Sequence, residues 1–244
     1  MFHKDGPSLL DLIRQSLTST EAGYDMLAPK FDLTPFRTPD DLVLAAIQSA
    51  GHVDAALDLC CGTGAAMEAM LPYTESRLVG IDFSAGMLAQ AERRLSGCEP
   101  EPGFAIEYIK EDVMSMTFAG EFDLAVCFGA LGHILPEDES EFIRRVYSAL
   151  RPGGVFLFLT GSHPPFYSPA AFVLRIFNGI MKIRNRLHKP EFVMYYLTFL
   201  LPEIEDKLTA EGFTVDVYRD LFPEPYKRCC MVIATKHEAV GSRS

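Results

Sequence analysis

The chain has 244 residues and a formal net charge of −11. Hydrophobic residues make up 48% and charged residues 23%, which excludes global disorder and lets a core form without disulfide or metal staples. The acidic balance argues against a life on a phosphate backbone, where Lys and Arg must release counterions, and the length fits one α/β domain of about 200 residues plus an insertion.

Residues 1–20 hold no apolar stretch of the kind a secretory signal needs, and no apolar run approaches the ~20 residues of a membrane span. The expectation is a cytoplasmic protein. Its six cysteines stand at 60, 61, 98, 127, 229 and 230. Adjacent pairs form neither a C-x-x-C metal clip nor a spaced disulfide framework, so free thiols are expected, with Cys229 and Cys230 as buried filler.

From residue 55 onward, apolar strand-like runs alternate with helix-like runs. Strands are read at 55–59, 78–81, 105–109, 124–128 and 155–159. Helices are read at 65–71, at 85–95 with Ser84 as N-cap, and at 139–150. Near-continuous apolar strands between helices imply a parallel sheet covered on both faces. Residues 161–193 break the alternation. A helix at 202–211 then stops at Gly212, and strands follow at 213–218 and 229–235. Residues 219–228 leave no room for a crossover helix, so the last two strands should pair antiparallel.

The informative turn is Leu57-Asp58-Leu59-Cys60-Cys61-Gly62-Thr63-Gly64, where a strand runs through a Gly-rich bend into a helix. Such turns lie at the carboxyl ends of strands, where ligands bind in doubly wound sheets. Asp82 ends the second strand, near the offset at which an acid reaches ribose hydroxyls. Asp112 follows the third strand and is placed to accept from an exocyclic amine. A dinucleotide site wants a third small residue, but Met67 stands there, and Asp58 would repel a pyrophosphate. A ligand with ribose, adenine and an ammonium, but no phosphate, fits better. Each acid alone could equally cap a turn or helix; three acids at three successive strand ends point to a ligand.

These segments resemble the motifs of class I S-adenosylmethionine-dependent methyltransferases, with the feel of the small-molecule, quinone-biosynthesis type. The turn at 57–64 resembles that family's first motif. Gly-Ile-Asp-Phe-Ser-Ala-Gly-Met-Leu at 80–88 resembles its acidic-loop motif, Glu-Asp-Val at 111–113 its adenine-side motif, and 122–134 its fourth-strand motif. Leu-Arg-Pro-Gly-Gly at 150–154 and residues 198–213 resemble later landmarks, so the likeness spans roughly 55–236 in order. The resemblance implies a Rossmann-like, doubly wound seven-stranded sheet with the last strand antiparallel, and a helical insertion after strand five. It implies that Asp58, Gly62 and Gly64 border the methionine part of S-adenosylmethionine. Asp82 would hold the ribose, Phe83 and Met87 would lie against adenine, Asp112 and Val113 would read it, and Phe128 would lie under the methionine side. The family's Gly is replaced by Cys60, which is tolerable where the backbone does not need positive φ.

Two aromatic-Asp pairs, Tyr24-Asp25 and Phe31-Asp32, precede the first strand and resemble the N-terminal segment of quinone-biosynthesis-type enzymes. Tyr24, Phe31 and Arg37 are candidates for the substrate wall, with Arg37 facing a carboxylate. The competing reading is a helix that simply packs on the sheet. Within 161–193, Phe172, Ile176, Ile180, Ile183 and Leu187 fall at helical spacing, and Arg175, Asn178, Lys182, Asn185 and Arg186 gather elsewhere. That helix can wall a substrate pocket as a lid, lie on an anionic membrane surface, or be an ordinary core helix with a solvated face.

The expected organisation is a helical cover at 1–50, a cofactor-binding core at 51–160, a helical substrate lid at 161–201, the rest of the sheet at 202–236 and a loose tail at 237–244. Methyl transfer mainly needs alignment, and a base only where the nucleophile is protonated. His133, past strand four, is the candidate catalytic base or orienting group, with a loop histidine bonded to backbone as the alternative. His163 is a second candidate, for substrate. No metal-ligand cluster is evident. The expected activity is methyl transfer to a small, partly apolar acceptor. Alternatives are an RNA or protein methyltransferase, or a catalytically silent cofactor-binding protein.

Overall fold

The computed structural model describes residues 4–34, 37–98, 102–165 and 167–237. Pro35, Phe36 and residues 238–244 of the expected tail lie outside the described residues. The apolar runs do become strands: β1 (Val53–Leu59), β2 (Thr74–Asp82), β3 (Ala105–Lys110), β4 (Phe122–Cys127), β5 (Leu150–Thr160), β6 (Phe213–Tyr218) and β7 (Cys230–Lys236). They form one seven-stranded sheet in the order β3-β2-β1-β4-β5-β7-β6. The first five strands pair in parallel, and β7 inserts antiparallel between β5 and β6. The short link after β6 allows nothing else.

Around the sheet stand α1 (Leu9–Ser16), α2 (Thr20–Leu27), α3 (Asp40–Ala50), α4 (Ala65–Met70), α5 (Ala85–Leu95), α6 (Glu139–Ala149), α7 (Pro169–Leu187) and α8 (Glu203–Glu211). Side chains of β1 alternate between two cores. Ala55, Leu57 and Leu59 join Phe142, Val146 and Leu208 of α6 and α8. Ala56 packs with Ile47, Met67 and Leu88 of α3, α4 and α5. Burial on both faces is why these strands read as continuous apolar runs rather than as alternating ones. Ser84 caps α5 as expected, its Oγ accepting from Met87 N at 3.1 Å. Gly212 ends α8 in the left-handed region, at φ 111°.

Two local features differ from expectation. Cys60 lies at φ 56°, so the position where the family's Gly is replaced does adopt the left-handed backbone. A side chain there costs roughly 1–2 kcal/mol, and the turn keeps it because its neighbours are tied down. Met67, too bulky for the usual helix–strand approach, is accommodated by a glycine on the opposite strand. A Cβ added at Gly80 would run into Met67 Sδ.

The amphipathic helix in the insertion is real but faces the other way from a pocket-walling lid. Its apolar row of Phe172, Ile176, Ile180, Ile183 and Leu187 is exposed. Ala171, Met181 and Asn185 are the buried side. The reason is polar. Asn185 Nδ2 donates to Phe192 O, and its Oδ1 accepts from Phe192 N, both at 3.0 Å. Asn178 Oδ1 accepts from Tyr196 N at 2.9 Å. The irregular backbone after α7 needs partners, and the two amides supply them from the inner face.

Candidate functional site

At the carboxyl end of β1 the chain turns sharply, and the turn is tied to the end of β2. Cys61 N donates to Ile81 O at 3.0 Å, and Gly62 N donates to Asp82 Oδ2 at 2.9 Å. Ser84 N donates to the other carboxylate oxygen, Asp82 Oδ1, at 2.8 Å. Asp82 is thereby fixed in orientation while each oxygen keeps a free lone pair. Asp58 is buried one strand over, and its Oδ2 has no hydrogen-bond partner.

Burial sets the electrostatics here. It pushes the Asp82 carboxyl up to about 6, against the pull of its two N–H donors. Burial, reinforced by the charge of Asp82, raises Asp58 well above the carboxylate range. Contact with Cys127, then burial, raises the Cys60 thiol, and burial first of all raises Cys61. Neither is a nucleophile at neutral pH.

These groups open into a cleft between the strand ends and the N-terminal cover. Of the expected site residues, the structure gathers Asp58, Gly62, Asp82, Phe83, Met87 and Phe128 around it. Tyr24, Phe31, Arg37 and His133 line it too. Four do not line it. Gly64 begins α4, where a Cβ would meet Ala91 Cβ of α5 at 2.9 Å, so close helix packing requires it. Asp112 is exposed, and its Oδ1 accepts from Met114 N at 2.9 Å, while Val113 is buried in the core. His163 lies outside, its Nε2 3.2 Å from Glu203 Oε2.

The cover over the cleft is built from the two aromatic-Asp pairs. The rings of Tyr24 and Phe31 approach edge-on, with centroids 6.0 Å apart. Their acidic neighbours pin them to the core. Asp25 Oδ1 accepts from Ser84 Oγ at 2.6 Å and from Gly86 N at 2.8 Å, sealing the N-terminus of α5. Asp32 accepts from Thr63 Oγ1 at 2.6 Å and pairs with Arg94. Arg37 lines the cleft, and its guanidinium is held by Asp40 with Asp32 at 4.0 Å. Sequence reasoning picked out the pairs but not the pinning role of Asp25 and Asp32, nor Thr38 and Ala130 in the lining.

The segment after α7 packs behind the cover. Phe192 stacks on Tyr24 with centroids 6.4 Å apart, and Tyr195 N donates to Gly132 O at 2.8 Å. His133 sits between these layers. Its Nδ1 bonds Val193 O, and its Nε2 lies 2.7 Å from Tyr24 Oη. A carbonyl only accepts, so Nδ1 carries the proton and Nε2 is an unprotonated acceptor for the Tyr24 hydroxyl. Desolvation holds His133 below its ordinary pKa and keeps it neutral, and it raises that of Tyr24. The dyad sets a neutral imidazole, its Nε2 lone pair outward to a tyrosine hydroxyl, in the wall of the cleft.

Among the described residues no group of His, Cys, Asp and Glu is arranged to hold a metal. The cleft instead fits S-adenosylmethionine. The orphaned oxygen of Asp58 needs a donor, and a cationic ammonium suits it best, whereas a pyrophosphate would face two buried acids.

Comparison with known proteins agrees. The family described as a methyltransferase domain matches residues 56–154. A 2-phytyl-1,4-naphtoquinone methyltransferase from Thermosynechococcus vestitus is 31% identical over 161 residues, covering 61% of this chain and 67% of that protein. A demethylmenaquinone methyltransferase from Lactococcus lactis is 31% identical over 122 residues, covering 47% and 45%. The chain also spans 44% of a Bacillus subtilis protein to which it is 32% identical, so two of these three likenesses cover less than half of the relative. Among solved structures, the DhpI complex with SAH gives a TM-score of 0.63 at 19% identity, covering 95% of this chain and 100% of that one. A SAM-dependent methyltransferase from Methanosarcina mazei gives 0.59 at 21% identity, covering 79% and 97%. At these identities the two structures speak to the fold.

Proposed function

Because the chain belongs to the class I S-adenosylmethionine-dependent methyltransferases, we propose that it methylates a small, partly apolar acceptor held between Tyr24, Phe31 and His133. The observation that carries this reading is the Tyr24–His133 dyad in the wall of the cleft, with Nε2 unprotonated. S-adenosylmethionine supplies there a methyl group already activated on a sulfonium.

In this reading Asp58 Oδ2 accepts from the cofactor's ammonium, and the backbone at Gly62 lies along its methionine part. Asp82 accepts the ribose hydroxyls with the lone pairs that Gly62 N and Ser84 N leave free. Phe83 and Met87 flank the adenine, while Asp112 and Val113 stand off the cleft and are given no contact with it. Phe128 lies under the methionine side. Gly64 acts by packing, and His163 has no contact with the acceptor.

The acceptor displaces the Tyr24 hydroxyl from His133 Nε2 and donates its own proton there. Val193 O holds Nδ1–H, so the ring cannot swap tautomers and Nε2 stays the proton's destination. Tyr24 keeps its proton and serves as a donor. Tyr24, backed by Phe192, and Phe31 exclude water from the site. A phenol, quinol or similar ring with an apolar substituent suits this wall, in keeping with the two relatives named for naphthoquinone-type acceptors.

The test is release of S-adenosylhomocysteine from the purified chain with three acceptor groups: tailed phenols and quinols, small amines, and RNA or protein. Turnover with the first group is expected. Turnover only with RNA or protein would overturn the reading.

A further inference from the structure

Helix α7 turns its apolar side away from the protein. Phe172, Val173, Ile176, Ile180, Ile183 and Leu187 are between 46% and 81% exposed. At 100° per residue they share one face, along roughly 22 Å of axis. A contiguous apolar stripe of this length exceeds the scattered exposure normal for a protein surface.

The charges on the helix itself are all of one sign. Residues 161–190 contain five Lys and Arg and no Asp or Glu, and Glu191, just beyond, is paired with Lys189. Arg175, Lys182 and Arg186 flank the stripe on one side. Arg184, on the other side, is occupied by the carbonyls of Thr18 and Pro190. The stripe also continues. His188 Nε2 bonds Leu17 O at 3.0 Å, so the end of α7 meets the end of α1, where Leu10, Ile13 and Leu17 form a second exposed row. The rest of the chain carries 17 Lys and Arg against 33 Asp and Glu, so its net charge opposes an anionic surface while that of α7 favours one.

We propose that α7 lies in the plane of an anionic lipid surface. Its apolar row enters the acyl boundary, and Lys182 and Arg186 meet the headgroups. A second copy of this chain is the poorer occupant, because a two-fold contact across α7 would bring the same cations together. The surface also bears on the cleft. The segment that backs Tyr24 and His133, through Phe192 and Val193, is the direct continuation of α7. A lipid-dissolved acceptor would therefore meet the protein at the helix that leads to the cleft rim. Surface docking itself goes beyond the methyl-transfer reading and does not require it.

The test is flotation of the full chain with vesicles of phosphatidylcholine, alone or with about one third phosphatidylglycerol. Affinity for S-adenosylhomocysteine, measured in parallel, reports separately on the cleft. Flotation with the anionic vesicles is expected, weakening at high salt. The exposed-face variant Ile176→Glu/Ile180→Glu should lose it at least tenfold, and Lys182→Glu/Arg186→Glu at low salt likewise, with thermal stability and cofactor affinity unchanged. No flotation, or equal flotation of wild type and the Ile176→Glu/Ile180→Glu variant, would overturn the proposal. So would equal binding to both vesicle types. A wild-type dimer by light scattering that this variant splits, with no vesicle binding, would assign the face to a second copy instead.

Discussion

The raised carboxyl of Asp82 makes cofactor affinity depend on pH. Unfolded, this acid titrates near 3.8; in the fold it titrates at about 6 because burial outweighs its two N–H donors. Between those values the folded chain keeps a proton that the unfolded chain has lost. The contribution of Asp82 to stability therefore falls as pH rises from 3.8 through about 6, by roughly 3 kcal/mol, and is level above. Ribose hydroxyls donate to the ionised form, so binding has the opposite trend. Affinity for S-adenosylhomocysteine should be level above pH 7 and fall about tenfold per unit below 6. Calorimetric titrations from pH 5 to 8 read this directly. In Asp82→Asn the step near pH 6 should vanish and affinity at pH 7.5 should drop at least about tenfold, the order expected for hydrogen bonds lost to a charged group. A flat wild-type profile, or an Asp82→Asn variant with wild-type affinity, would refute the reasoning.

Gly80→Ala drives a methyl into Met67 Sδ, fully buried behind it, and should cost about 1–3 kcal/mol in urea unfolding; a change under about 0.5 kcal/mol would show that the two do not touch. Asp25→Ala removes the acceptor for Gly86 N and Ser84 Oγ, and should cost about 0.5–2 kcal/mol, as loss of a helix cap does. Asp25→Asn should recover part of that loss. His133→Ala should lower kcat by about 10²–10⁴-fold while leaving S-adenosylhomocysteine affinity near wild type; an unchanged kcat would remove His133 from the chemistry.

The sheet was legible because its strands are short apolar runs that end where chemistry begins. Leu57 to Asp58 and Ile81 to Asp82 show both the strand and its exit, and the short link after Tyr218 sets β7 antiparallel. What stayed hidden depends on which neighbours meet. Periodicity finds the two faces of α7, but not that Asn178 and Asn185 are needed inward by the backbone at 192–196, which leaves the apolar side outward. Met67 reads as a misfit until Gly80 is seen opposite it. Cys60 gives no sequence sign of its left-handed backbone beyond standing where the family has Gly. The aromatic-Asp spacing of the cover pointed to Tyr24 and Phe31; the pinning role of Asp25 and Asp32 appears only once α5 and the first turn are in place.

The account turns on what satisfies the lone oxygen buried at the end of β1. A crystal structure with S-adenosylhomocysteine at pH 7.5 measures that directly. The account predicts the ligand's amino nitrogen within hydrogen-bond distance of Asp58 Oδ2 and both ribose hydroxyls on Asp82. Ligand density elsewhere, with Asp58 Oδ2 still without a donor, would contradict it.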